Sequence, residues 1–135
     1  RGGNELMFGL KNMGAIASLM GRKDEIKAAA EELAKRVAEL RIEGSAGGGA
    51  CRVIVSGKQR VEKVELDPAV CAGMAASEDA RVQAQRLITE ATNDALEKCQ
   101  NRIREMVELE VKRLGLEDLI PAGGGGLGPI GKLLG

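Results

Sequence analysis

The side chains best suited to catalysis are scarce in this chain of 135 residues. There is no histidine. That removes the commonest general base near neutral pH and a common metal ligand, and with it any Ser-His or Cys-His nucleophile pair. Cys51, Cys71 and Cys99 are odd in number, widely spaced and without a CxxC. This fits neither a disulfide framework nor a zinc site, so the three read as small buried hydrophobes in a reducing compartment. The run Gly44-Ser45-Ala46-Gly47-Gly48-Gly49 lies between strand-like segments and lacks the Gly-Lys-Ser/Thr ending of a phosphate-cradling loop. It reads as a hairpin turn. Acidic residues alternate with basic ones, the pattern of a solvated helix face rather than of paired catalytic carboxylates. The chain is expected not to be an enzyme and to use no cofactor, metal or small-molecule substrate.

What remains is charge. Arg22, Lys23 and Lys27 fall near the start of a first helical pattern, and Arg102, Arg104, Lys112 and Arg113 near the end of a second. Such clusters can clamp phosphates, with little sequence information and a steep dependence on salt. They can equally be solubilising charges, because Asp24, Glu25, Glu105 and Glu108 lie among them. Lys and Arg total 20 and Asp and Glu total 20. That balance argues against a strongly basic nucleic-acid protein but not against a local basic patch. Phe8 is the one aromatic residue, so single-strand stacking platforms are unavailable and a duplex is the better partner.

The elements that must position these charges follow from periodicity. Ile26, Ala30, Leu33, Val37 and Leu40 recur at spacings of four and three, a helical seam. Glu31–Lys35 and Glu32–Arg36 are i, i+4 pairs in the favourable order. A helix over about 14–41 would be ~40 Å long. Its first turns, with Met13, Ile16, Leu19 and Met20 on one face, read as a loosely ordered start rather than as a membrane-surface helix, which would be richer in basic residues. Strands follow: one through Leu40 and Ile42 ending at Gly44, one at Cys51–Ser56, and one at Val61–Leu66. Cys51, Val53 and Val55 alternate with Arg52, Ile54 and Ser56. Val64 and Leu66 alternate with Lys63 and Glu65. Val61 breaks the alternation, as at a bulge or turn. Asp67-Pro68 is expected to cap a short helical turn ending near Gly73. Ser77, followed by Glu78 and Asp79, starts a second long helix. It carries Ile88, Thr92, Ala95, Cys99, Ile103, Met106 and Leu114 in a stripe, with Leu96, Val107 and Val111 beside it. It runs ~55 Å to a Gly115 cap. The fold class is α+β: a long helix, a three-stranded antiparallel meander and a long helix over 13–114. Residues 1–12 and the glycine-rich 115–135 are expected to be flexible. The longest apolar run, Met13 to Met20, is too short to span a membrane.

Roughly 100 residues of alanine-rich helix and short strand bury little area for their size. The meander supplies few strands and leaves unpaired edges. Pairing with a second copy resolves both, with Val53, Val55, Val64 and Leu66 as the expected interface.

Particular residues make the order of elements specific: Met7-Phe8-Gly9, Gly44-Ser45-Ala46-Gly47-Gly48, Val53-Ile54-Val55-Ser56-Gly57, Val64-Glu65-Leu66-Asp67-Pro68 and Asn93-Asp94-Ala95. Together they resemble the YbaB/EbfC family of bacterial nucleoid-associated proteins, over about Met7 to Leu114. The resemblance implies a tweezer-like homodimer with a joined sheet and projecting helical arms. It also implies binding to double-stranded DNA with low sequence specificity, a place in the cytoplasm and nucleoid, and an effect on nucleoid organisation and gene expression. The alanine-rich segment between Pro68 and Ser77 and the balanced charge depart from many relatives. The resemblance favours the phosphate reading of the basic clusters. The alternative is a dimeric protein-interaction scaffold that uses its exposed helix faces or the GGGGLGPIGKLLG tail.

Overall fold

The computed structural model describes residues 20–117. The expectations for 1–12, for the first helical turns over 13–19 and for the tail beyond 117 lie outside the described residues. Helix α1 is Lys23–Ala38, followed by strands β1 (Arg41–Ala46), β2 (Cys51–Ser56) and β3 (Val61–Leu66), then helices α2 (Pro68–Ala76) and α3 (Glu78–Arg113). The chain is α+β, with an antiparallel sheet in the order β1-β2-β3.

Helix α3 runs across one face of β1 and β2 and continues past the sheet. Cys51, Val53 and Val55 alternate inward on β2 and are fully buried against Ala91, Ala95 and Cys99. Of the stripe read from the sequence, Ala95, Cys99, Met106 and Leu114 are buried and Ile88, Thr92 and Ile103 half-buried; Val107 and Val111 from beside it are buried too, as are Ala84 and Ala91. Beyond the sheet the same helix meets α1. Ala29, Leu33 and Val37 pack there against Met106, Val107, Val111 and Leu114. The two helices therefore form one antiparallel arm with a shared seam, standing off a sheet that carries its own core.

Local chemistry sets the ends of α3. Ser77 Oγ accepts from the Ala80 N–H at 3.0 Å, and Glu78 and Asp79 occupy the positive end of the dipole. At the far end Gly115 takes φ +70°. The Leu116 N–H donates to the Val111 carbonyl and the Gly115 N–H to that of Lys112, which satisfies the last carbonyls in a Schellman arrangement. Leu116 turns back into the arm core, so packing reaches two residues past Leu114.

Several expectations are corrected. Gly44 does not end β1. It lies mid-strand, and the reversal is Gly47–Ala50, with Gly47, Gly48 and Gly49 at positive φ. The reason is packing: a Cβ on Gly44 would stand 2.2 Å from the Ala95 backbone nitrogen. The glycine thus lets α3 lie on β1. Gly57 plays the same part in the β2–β3 turn, where a Cβ would collide with the Val37 carbonyl oxygen. The register between β2 and β3 slips between Ile54 and Val55, so the break at Val61 is a bulge. Helix α2 continues to Ala76, and Asp67 holds the N-cap position without a side-chain bond. Its backbone carbonyl accepts from Val70 and Cys71 instead. Cys51 and Cys99 are buried, but Cys71 is exposed. Among the described residues neither Glu31–Lys35 nor Glu32–Arg36 forms an ion pair. Arg36 reaches across the arm to Glu110. No described helix is long and apolar enough to cross a membrane.

Candidate nucleic-acid interface

The arm brings the first basic cluster of the sequence to the same end as Lys112 and Arg113, while Arg102 and Arg104 lie farther back along α3. Because α1 and α3 are antiparallel, Arg22, Lys23 and Lys27 at the start of α1 lie alongside Lys112 and Arg113 at the end of α3. Arg22 bonds Glu25 at 3.2 Å. The positive charge of Arg113 acts on both members of that pair, opposing the Arg22 charge and favouring the Glu25 carboxylate. The carboxyl of Glu25 is held below its ordinary value mainly by its hydrogen bond with Arg22.

The seven basic residues divide by their partners. Arg22, Arg102 and Arg113 are tied to Glu25, Glu105 and Glu110 respectively. Lys23, Lys27, Arg104 and Lys112 are exposed and form no ion pair among the described residues. Lys112 lines a shallow groove with Glu105, Glu108 and Leu109. Arg102 and Arg104 sit on different sides of α3, two residues apart on a helix. Arg104 lies one helical turn beyond Gln100, whose side chain meets Gln59 of the β2–β3 turn. An exposed ion pair contributes little to stability, so Arg22 and Arg102 can exchange a carboxylate for a phosphate at small cost, whereas Arg113 is held by the largely buried Glu110.

Glu110 is the arm's internal latch. Its side chain keeps 13 % of its surface exposed. It accepts from Arg113 Nε at 2.9 Å and from Arg36 Nη2 at 3.3 Å, bridging α3 to α1. Its carboxyl is held below the ordinary value of 4.5, first by the Arg113 hydrogen bond and then by the charges of Arg113 and Arg36, against the opposing effect of burial. A depressed folded-state value means stability that is present above the ordinary value and lost as pH falls through the folded one. Glu110→Gln should cost on the order of 1 kcal/mol at neutral pH. The gap from wild type should close as pH falls below about 4.5. Urea denaturation midpoints of both proteins at pH 7 and pH 4 check this; a gap independent of pH would contradict it.

At the root of the arm, Asp94 fixes α3 on the sheet. Its Oδ2 accepts from the Ser45 N–H at 3.0 Å and pairs with Lys98 at 2.8 Å. Both bonds hold its carboxyl below the ordinary range, the Lys98 bond first. This contact covers part of the outer edge of β1. Among the described residues no such cover lies over β3. Val64 stands opposite Val53 in the register, on the face that α3 covers for β1 and β2. Yet Val64 is 44 % and Val61 48 % exposed. Helix α2 reads Pro-Ala-Val-Cys-Ala-Gly-Met-Ala-Ala and buries none of its residues, and Val82 of α3 is exposed as well. Of the four residues expected at a dimer interface, Val53 and Val55 are wholly buried within the chain, under α3. Val64 and the half-buried Leu66 are the two left within reach of a partner.

Sequence reasoning missed Gly44 as a packing residue and Glu110 as the inter-helix latch. The first had a signal, a glycine in a period-two apolar run. The second had none, since Arg36 and Glu110 lie 74 residues apart. Among the described residues no group of three or more His, Cys, Asp or Glu side chains is placed to hold a metal ion.

The model of the YbaB/EbfC DNA-binding family matches residues 13–111. The chain is 35% identical over 101 residues to a nucleoid-associated protein of Thermosynechococcus vestitus, covering 75% of this chain and 83% of that one. It is 33% identical over 102 residues to a nucleoid-associated protein of Nostoc sp., with the same two coverages. A nucleoid-associated protein of Xylella fastidiosa is 34% identical over 92 residues, 68% of this chain and 79% of that one. A family model over most of the chain and relatives at a third identity or more agree, and the chain belongs to the YbaB/EbfC DNA-binding family.

Proposed function

We propose that the protein is a homodimer that binds double-stranded DNA with low sequence specificity, in the cytoplasm and nucleoid of a bacterium, and so affects nucleoid organisation and gene expression. The observation that carries this reading is the arm itself. One end of an antiparallel helix pair gathers Arg22, Lys23, Lys27, Lys112 and Arg113, and the family is a DNA-binding one. Cations on two rigid helices reach phosphates at a fixed spacing and read no base edges, which gives affinity without sequence preference.

Dimerisation is supported by what β3 and α2 leave uncovered. An edge strand with an exposed apolar face, followed by an apolar helix that buries nothing, is a surface that a second copy satisfies. The β1 edge is partly covered through Asp94, so β3 is the edge that joins two three-stranded sheets into one. Val64 and Leu66 touch the partner, with Val53 and Val55 flanking them on the neighbouring strand. Two arms then project from one sheet, like the prongs of tweezers.

The test is a titration of the full chain against two unrelated duplexes of equal length and against one of their single strands. The account expects both duplexes to bind alike within a few fold and the single strand to bind more weakly. A clear preference for the single strand would contradict it, and no binding to either duplex at low salt would favour a protein-interaction scaffold.

A further inference from the structure

The cations at the root of the arm lie outside the tip. Lys58 and Arg60 flank Gln59 in the β2–β3 turn, and all three are exposed. Gln59 holds φ 60°, and its side-chain oxygen accepts from Gln100 of α3 at 3.4 Å. Gly57, seated under the Val37 carbonyl, fixes the same turn against the end of α1. The turn is therefore held from both helices. Arg104 stands one helical turn beyond Gln100 on the same side of α3. Among the described residues none of Lys58, Arg60 and Arg104 forms an ion pair, whereas Arg22, Arg41, Arg102 and Arg113 are each tied to a carboxylate. Several carboxylates are near in sequence: Glu105, next to Arg104, is engaged by Arg102, and Glu97, three residues before Gln100, forms no ion pair among the described residues. Glu62 is engaged by Arg41 at 2.6 Å, and Glu108, one turn from Arg104, pairs with nothing described.

We propose that Lys58, Arg60 and Arg104, with the amides of Gln59 and Gln100, form a second phosphate-binding patch, so that each arm holds a duplex at its root as well as its tip. The inference rests on the duplex-binding reading above. Lysine, arginine and side-chain amides all donate to phosphate oxygens, and the fixed turn presents them with no further ordering of its backbone. From Gln100 to Lys112 the helix rises about 18 Å. That is about five base-pair steps at 3.4 Å each, or half a turn of duplex. Root and tip meet phosphates of one duplex half a turn apart.

The experiment compares wild type with a Lys58→Ala, Arg60→Ala, Arg104→Ala variant, in titrations of a mixed-sequence duplex over a salt series. Each lost phosphate contact lowers the slope of log K against log salt by about 0.9. The variant should lose about two to three units of slope and on the order of tenfold or more in affinity near 0.1 M salt. An unchanged slope and affinity would overturn the second patch while leaving duplex binding intact. A wild type that binds no duplex would overturn both. Acetylation of the wild-type chain gives a second measurement, independent of how the variant folds. Duplex should protect Lys58 as it protects Lys112, and equal modification of Lys58 with and without duplex would overturn the patch.

Discussion

Gly44→Ala should be among the most damaging single methyl groups that can be added to this protein. The new Cβ would stand 2.2 Å from the Ala95 nitrogen and 2.6 Å from both the Ala91 oxygen and the Ala95 Cα. All three are backbone atoms of α3, so no side-chain rotation relieves the clash. Either β1 or α3 must move. Movement opens the contact that buries Ala91, Ala95 and Cys99 on β2 and breaks the Asp94–Ser45 bond. Overpacking a core typically costs 1–3 kcal/mol. A backbone collision where α3 lies on β1 belongs at or above the top of that range, about 3 kcal/mol or more. Set against the few kcal/mol that hold a domain of this size, the variant should melt more than about 10 °C lower, or fail to accumulate folded. Gly21→Ala is the matched control. Among the described residues a Cβ there meets nothing within 4 Å, and alanine is the better helix former, so stability should be unchanged or higher. Thermal melts of the two variants and the wild type decide the matter. Near-equal melting temperatures would mean that α3 does not lie on β1 as described.

The second large effect is on assembly. A Val61→Glu, Val64→Glu variant places two carboxylates on the uncovered face of β3. In the single chain the cost is small, because both residues are already about half exposed. Across a two-fold interface they would meet their own copies, with like charges close together and nothing to neutralise them. Sedimentation should find the wild type at twice 14.2 kDa and the variant as a monomer with an unchanged helical spectrum. Duplex affinity should fall on the order of a hundredfold, because two linked sites bind far more tightly than one. A wild type that stays monomeric at micromolar concentration, or a variant that remains a dimer, would contradict the β3 interface.

How much of this was legible in the sequence depends on the range of each interaction. The stripe of α3 from Ile88 to Leu114 could be read because a helix repeats every 3.6 residues. Ser77 and Gly115 could be read because caps act within a turn of chain. The fold class, the strand faces of β2 and the irregularity at Val61 followed from equally local rules. Gly44 was misread because glycine serves both tight turns and close approaches, and only the position of Ala91 and Ala95 tells which. Arg36 offered a plausible local partner in Glu32, while its actual partner, Glu110, is brought up by the antiparallel packing of two distant helices. For the candidate site, the basic ends of the two helices were visible. What was hidden is which cations are already paired. Hidden too was the place of Arg104 near the β2–β3 turn, which depends on where Gln100 meets Gln59.

The most direct measurement of the central claim is the salt dependence of duplex binding by wild type and by a Lys23→Ala, Lys27→Ala, Lys112→Ala variant of the arm tip. These three cations carry no ion pair among the described residues, so their removal leaves the seam and the latch of the arm in place. The account predicts that wild-type affinity falls steeply and linearly on a log–log plot as salt rises. The variant should lose about two to three units of that slope, at about 0.9 per phosphate contact. A wild-type affinity indifferent to salt, or a tip variant with the wild-type slope, would contradict the claim that the arm tips hold DNA by its phosphates.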